Sequence, residues 1–379
     1  MREIYLDNSA TTKPYPQAAE KVMHMLTEVY GNPSSLHRLG QESKAEIQKA
    51  RQHIANALGA DQEEICFTSG GTESDNLAIF GVCSANSDRG NRIVTTVAEH
   101  AAVTKPLRIL KRQGWNVEYV PAPGGKLDLQ AMENAIDEQT VLVSVMMVNN
   151  ETGSIFPINE ISKIIKRKHS PALLHCDAVQ GFGKIPFTAT DIGTDLISIS
   201  AHKIHGIKGS GALYVKKGTK IHSILFGGGQ ESGLRSGTES APLIAAFGEA
   251  VSITFEKLTE NVFHMRSLLD YCIDAIEDQI PDAVINSNKQ GAPHIVNFSL
   301  PGISNLEIVK YLDSEGICIS SAAACKSNHT RGPSVLESLG LSRNLADSAL
   351  RVSFSPMNTL SDVDALIETV IKFMLKHRH

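Results

Sequence analysis

His202, Lys203 and His205 stand together at the end of an apolar run, Leu196–Ser200, and glycines follow at 206, 209 and 211. A free lysine amine has a pKa of about 10.4 and is a poor nucleophile at neutral pH, so it needs desolvation or a carbonyl already bound beside it. Other strand ends carry groups that suit such a lysine. In FTSGGTESDN, Gly70, Gly71 and Thr72 separate a strand from a helix with Glu73 and Asp75 in its first turn. Free backbone N–H groups there make an anion site, typically for phosphate, although the same residues also suit a tight turn capped by Thr72. In LLHCDAVQG, Asp177 closes a strand three residues before Gln180. A carboxylate so placed pairs with a protonated ring nitrogen or caps a helix. His100 ends RIVTTVAEH, where it can stack on a flat ring, shuttle a proton or be an ordinary surface histidine. Asn149 and Asn150 end the most apolar strand, where an amide caps a turn or binds a ligand.

A lysine, a phosphate cradle and a pyridinium-type acid fit Schiff-base chemistry on pyridoxal phosphate. The two histidines around Lys203 also suggest a metal, but no third ligand follows at suitable spacing and none is expected. A second reactive candidate is Cys325, in GICISSAAACKSNHTRGPS. The polar stretch after it, with Gly332 and Pro333, reads as an exposed loop. Lys326, His329 and Arg331 favour the thiolate, and the alternative is an incidental surface thiol. Cys318, inside the apolar run, reads as packing.

The elements that must hold these groups are legible from pattern. Strands are expected at Ile65–Thr68, Arg92–Val97, Val117–Pro121, Val141–Val148, Ala172–Cys176, Leu196–Ser200 and Ala212–Val215. Amphipathic stretches Thr72–Cys83, Ala101–Gln113, Leu129–Asp137 and Ile158–Lys168 alternate with most of them, which predicts an α/β domain with a mostly parallel sheet covered on both faces. After about residue 240 a long helical segment, Ala241–Leu258, leads into a smaller α+β pattern. The expected domains are 12–255 and, for the smaller one, 1–11 with 256–379. Ligands of open α/β sheets sit outside the carboxyl ends of the strands, where the residues above fall.

Hydrophobic residues at 42% and charged residues at 20% describe an ordinary globular chain of 379 residues. A net charge of −5 argues against bulk attraction to nucleic acid or an anionic membrane. No run reaches the ~18 apolar residues of a membrane span, and MREIYLDNSATT has no apolar signal core, so a cytoplasmic location is expected. The six cysteines form no C-x-x-C pair, as for reduced thiols.

In order, YLDNSATT, GNPSSLHRLG, TSGGTESDN, EH, VNNETG, HCDAVQ, SAHKIHGIKGSGALYV, GGGQESGLRSGT and SSAAAC resemble a class V, fold-type I pyridoxal-phosphate enzyme, and most closely the cysteine desulfurase family. The resemblance covers nearly the whole chain. It implies that Lys203 holds the cofactor covalently, Asp177 pairs with its ring nitrogen, and His100 stacks on the ring and moves protons. It places Asn150 and Gln180 near the phenolic oxygen. Gly71, Thr72, Ser200 and His202 would hold the phosphate, with Thr238 reaching in from the other subunit of a homodimer. Arg351, with Asn150, would grip the substrate carboxylate, a role suited to a planar guanidinium. Cys325 would take the sulfur of L-cysteine as a persulfide, release L-alanine, and pass sulfur to an acceptor protein.

Two departures stand out. Ala322 and Ala323 replace the family's common Gly and Ser, which restricts the backbone before Cys325 and removes a hydroxyl. The sequence also stops soon after its last helical pattern, where housekeeping members carry an extension that helps dock an iron–sulfur scaffold. A dedicated acceptor, such as a tRNA-thiolation sulfurtransferase, is therefore a rival expectation. The rival readings are a selenocysteine lyase or other class V enzyme, and a non-catalytic sulfur-relay scaffold.

Overall fold

The computed structural model describes residues 3–321 and 334–377. Its strands, in chain order, are β1 (Ile4–Tyr5), β2 (Ile65–Thr68), β3 (Arg92–Thr96), β4 (Asn116–Val120), β5 (Thr140–Met146), β6 (Leu173–Asp177), β7 (Leu196–Ser200), β8 (Gly211–Val215), β9 (Val284–Ile285), β10 (Ile295–Ser299), β11 (Ile317–Cys318), β12 (Ser320–Ser321) and β13 (Ala349–Ser353). The first four helices are α1 (Pro16–Thr27), α2 (Arg38–Leu58), α3 (Gly71–Ala85) and α4 (Ala101–Arg112). Seven strands form one sheet in the order β2-β8-β7-β6-β5-β3-β4. Every pair from β7 to β4 is parallel, while β8 runs antiparallel to both β7 and β2. The short Gly-containing link from β7 to β8 has no room for a crossover helix, so the chain must return antiparallel.

Alternation explains how the sheet is covered. On β7, Ile197 and Ile199 face one core and Leu196 the other; on β8, Ala212 and Tyr214 oppose Leu213. β5 is buried at every position, as a central parallel strand must be. The expected strands are all present, with ends shifted by a residue or two. Val148, expected at the end of β5, instead forms an isolated bridge to Ile155. The expected helix Ala241–Leu258 divides at Lys257, whose φ of −114° and ψ of 19° leave helical space, so that Ala241–Glu256 is followed by Leu258–Gln279.

A separate core gathers Leu6 with apolar residues between Met265 and Met374. Its antiparallel sheet runs β12-β13-β10-β9, and β1 pairs in parallel with β11. The N-terminal residues therefore belong with the last third of the chain. From β1 they cross back: Asn8 and Ser9 donate to Ser353 on β13, while Thr12 donates to the carbonyl of His202 at 2.9 Å. This strap ties the large sheet to the small one. Among the described residues no helix is long and apolar enough to cross a membrane.

One buried group beside the strap is expected to cost the fold stability. Lys184 is 4% exposed, and its Nζ has no partner among the described residues. Burial, with Lys203 and Arg351 adding to it, pushes its pKa down to about 7. A lysine whose folded pKa lies below its unfolded value costs stability most fully below the folded pKa, and the cost fades as pH rises toward about 10.4. Lys184→Met is therefore expected to stabilise the protein by about 1–3 kcal/mol at pH 7 and less at higher pH. Denaturant unfolding at two pH values reads this directly, and a less stable variant would mean that the amine makes a favourable contact.

Candidate active site

The carboxyl ends of β2, β5, β6 and β7 open into one cavity of about 760 Å³. It brings together Lys203, Asp177, His100, Asn150, Gln180, Ser200, His202, Gly71, Thr72 and Arg351, which are scattered over most of the chain in sequence. A groove of about 810 Å³ passes Arg51 and Glu231 elsewhere on the surface. Those two charges are taken up by each other at 2.7 Å, and burial pushes the Cys66 thiol there far up, so its thiol is not a thiolate near neutral pH.

The anion end of the cavity is built by local geometry. β2 runs into Gly70, whose φ of 152° is a glycine conformation, and α3 begins at Gly71 with no side chain capping it. A Cβ on Gly71 would lie 2.6 Å from Val179 Cγ2, so this turn requires glycine to pack against the turn after β6. Ser200 is buried, and its hydroxyl has no partner among the described residues. His202 Nδ1 is 3.1 Å from Thr11 Oγ1, and burial pushes its pKa down to about 4, so it acts as a neutral donor. Bare helix amides, an idle hydroxyl and a neutral imidazole suit a phosphate.

Asp177 is the last residue of β6, and its Oδ1 accepts from the Val179 amide at 3.0 Å. Asp75, just beyond the first turn of α3 in which it was expected, is also buried, and its Oδ1 lies 3.6 Å from His175 Nε2. Burial raises the pKa of both carboxyls, and Asp177 raises Asp75 further. His175 cannot supply a charge, because burial holds it neutral, down to about 3. A cationic ring nitrogen beside Asp177 would relieve that pair. Gln180 donates to the Ser9 carbonyl at 2.9 Å, leaving its buried Oε1 without a donor among the described residues.

His100 caps α4, accepting at Nδ1 from the Ala102 amide (3.2 Å), which leaves Nε2 as the N–H edge of the neutral ring. Its ring lines the cavity, and burial among the walls lowers its pKa while Asp177 opposes the shift. Behind it Glu99 accepts from Thr96 Oγ1 (2.6 Å) and the Met146 amide, and burial pushes it up to about 8.

Lys203 sits on the short helical turn after β7. Its Nζ donates to the carbonyls of Ser9 (2.5 Å) and Ala10 (2.8 Å). Burial first, then Arg351, pushes its pKa down to about 8. Desolvation thus supplies the tuning that the sequence demanded of this amine. His205 serves the fold instead. At φ 65° its Nδ1 is 2.8 Å from the Lys13 carbonyl, and its ring packs on Tyr15 with centroids 4.6 Å apart. Among the described residues no cluster of three metal-ligating side chains occurs.

Arg351 comes from β13 of the small sheet. Its Nη1 donates to the Asn150 carbonyl (3.0 Å) and Glu151 Oε1 (3.3 Å), and its Nη2 to Asp7 Oδ1 (3.1 Å). Thr238 is exposed and outside this cavity, and Cys325, with Ala322 and Ala323, lies outside the described residues. Conversely, Asp7 and the carbonyls of Ser9 and Ala10 reach the site through the β1–β11 pairing and the bonds to Ser353. Glu151 had a signal, its place beside Asn150 at a strand end.

The class-V aminotransferase family matches residues 4–366. The chain is 38% identical over its full length to Cysteine desulfurase IscS of Dictyoglomus turgidum, covering 96% of that protein. It is 39% identical over 99% of its length to the protein of the same name from Rickettsia bellii, covering 92% of that one. Among solved structures, a NifS-like protein superposes with a TM-score of 0.93 at 36% identity, over 98% of this chain and 99% of that one.

Proposed function

Because the chain belongs to the class-V aminotransferase family, and its full-length relatives are cysteine desulfurases, we propose that it uses pyridoxal phosphate to convert L-cysteine to L-alanine, passing the sulfur through a persulfide on Cys325 to an acceptor protein. The observation that carries this reading is one cavity holding a desolvated lysine, a buried carboxyl whose pKa is raised by burial, and an uncapped helix N-terminus. The residues fit the family's cofactor: Ser200 Oγ and Gln180 Oε1 are buried and idle among the described residues, and the Gly71 cradle admits no side chain.

When bound, pyridoxal phosphate supplies an electron-withdrawing ring, joined to the substrate amine, that stabilises negative charge on the α-carbon. The chain's own groups do the rest. Asp177 would keep the ring nitrogen protonated, and the amides of Gly71 and Thr72 would hold the phosphate with Ser200 and His202. Gln180 and Asn150 would address the phenolic oxygen, and His100 would stack on the ring and move protons. Arg351 takes the substrate carboxylate. Lys203 Nζ would remove the α-proton and redeliver it. Cys325 thiolate then attacks the substrate sulfur: an S–S bond forms and the Cβ–S bond breaks. The electron pair stays on the carbon side, which takes up a proton to become the methyl group of alanine.

Exposure of Leu36 (93%) and Phe226 (88%) supports the homodimer, in which Thr238 would reach the partner's phosphate. The described cysteines are all free, which suits a reducing compartment such as the cytoplasm. The acceptor would be an iron–sulfur scaffold or a tRNA-thiolation sulfurtransferase. The test is incubation of the holoenzyme with L-cysteine and a reducing thiol, with both products quantified. Alanine and sulfide are expected in equal amounts. Efficient turnover of selenocysteine alone would make the chain a lyase, and no turnover of either would leave a relay scaffold.

A further inference from the structure

The group proposed to take the substrate carboxylate already carries two carboxylates, and the following rests on that reading of Arg351. Arg351 is 7% exposed and shares its guanidinium between Asp7 and Glu151. Glu151 Oε1 also accepts from Asn150 Nδ2 at 2.9 Å, so one carboxylate fastens both polar groups expected to meet the substrate. Glu151 is anchored at both ends of its backbone. Its N–H donates to Asn149 Oδ1 (3.0 Å), and its carbonyl accepts from Asn297 Nδ2 (3.1 Å). Its second oxygen, Oε2, is buried and has no donor among the described residues.

The charges facing Glu151 are Arg351 from β13, Asp7 from the N-terminal strap and Lys203 from the turn after β7, with the neutral Asn150 beside it. A docked substrate would bring a third carboxylate to one guanidinium in an enclosed pocket. Like charges so close cannot all stay ionised, and the one that yields is the one with an unsolvated oxygen. Burial already pushes Glu151 up to about 7, Arg351 drawing it back and Asp7 adding to it.

We propose that Glu151 is a positioning residue that takes up one proton from solvent at Oε2 when a substrate carboxylate docks on Arg351, making docking proton-coupled. The step forms one O–H bond, consumes one solvent proton and changes no oxidation state. Its sign follows from linkage. Below about pH 7 free Glu151 already holds the proton, and docking is insensitive to pH. Above it, every pH unit makes that proton ten times scarcer, so affinity for a carboxylate falls about tenfold per unit.

Propionate, which keeps the carboxylate and carbon chain of alanine but has no amine, is the probe. Calorimetric titration of the holoenzyme at about pH 8, in two buffers of different ionisation enthalpy, counts the protons taken up. The expected result is about one proton per propionate for the wild type and close to none for Glu151→Gln, whose amide still accepts from Asn150 and Arg351. The propionate dissociation constant should rise about tenfold between roughly pH 7.5 and 8.5 in the wild type and stay flat in that variant.

Propionate binding without proton uptake in the wild type overturns the proposal, whether or not the variant folds. Uptake that persists in Glu151→Gln and disappears in Asp7→Asn also overturns it, by assigning the proton to Asp7. A different failure would be propionate that does not bind, or that binds Arg351→Gln equally well. That outcome removes the clamp reading of Arg351 itself, and the two failures are distinct.

Discussion

Lys203→Ala is expected to lower the rate of alanine formation by roughly 10²–10⁴-fold or more, because proton transfer at the α-carbon loses its positioned base. The amine is presented just beyond the carboxyl end of β7, and burial beside Arg351 brings it to about 8, close to working pH. Borohydride reduction of the holoenzyme followed by mass spectrometry gives a readout that does not depend on turnover. The wild type should carry the reduced cofactor on the peptide containing Lys203, and the variant should carry none. A small primary amine added to the variant should restore part of the rate. The substitution also frees the Ser9 and Ala10 carbonyls, which accept from Nζ at 2.5 and 2.8 Å, so thermal unfolding should accompany the assay to separate chemistry from loosening of the strap. Unchanged turnover would remove Lys203 from the chemistry altogether.

Cys325→Ala is expected to abolish alanine and sulfide release together, by at least roughly 10³-fold, since the Cβ–S bond breaks only when an acceptor takes the sulfur. The described cysteines give no substitute. Cys66, Cys83, Cys176 and Cys272 are buried with their thiols pushed up by burial, and Cys318 on β11 is raised the same way with nearby carboxylates adding to it. Thiols held in that state are not thiolates near neutral pH. The variant should still bind the cofactor, and it should fail to gain the mass of one sulfur atom after exposure to L-cysteine. Sulfide release at the wild-type rate would show that the substrate sulfur leaves without a protein acceptor, and the lyase reading would take over.

Much of this protein was determined locally, and local determinants are readable from sequence. Continuous apolar runs such as TVLVSVM announce strands covered on both faces, and the polar residue that ends each run marks the mouth of the sheet. Lys203, Asp177, His100, Asn150 and the Gly71 turn were legible for that reason: each belongs to the strand end that presents it. What only the tertiary structure decided is how distant segments complete the site. Asp7 and the Ser9 and Ala10 carbonyls arrive through β1 pairing with β11 and through the bonds to Ser353. Arg351 arrives from an antiparallel strand of the small sheet and finds two carboxylates waiting. Neither the loss of water that brings Lys203 to about 8 nor the one that brings Glu151 to about 7 is a property of a residue or its neighbours in sequence. Desolvation depends on everything packed around a group, so the sequence names the candidate side chains and the fold decides their proton affinities.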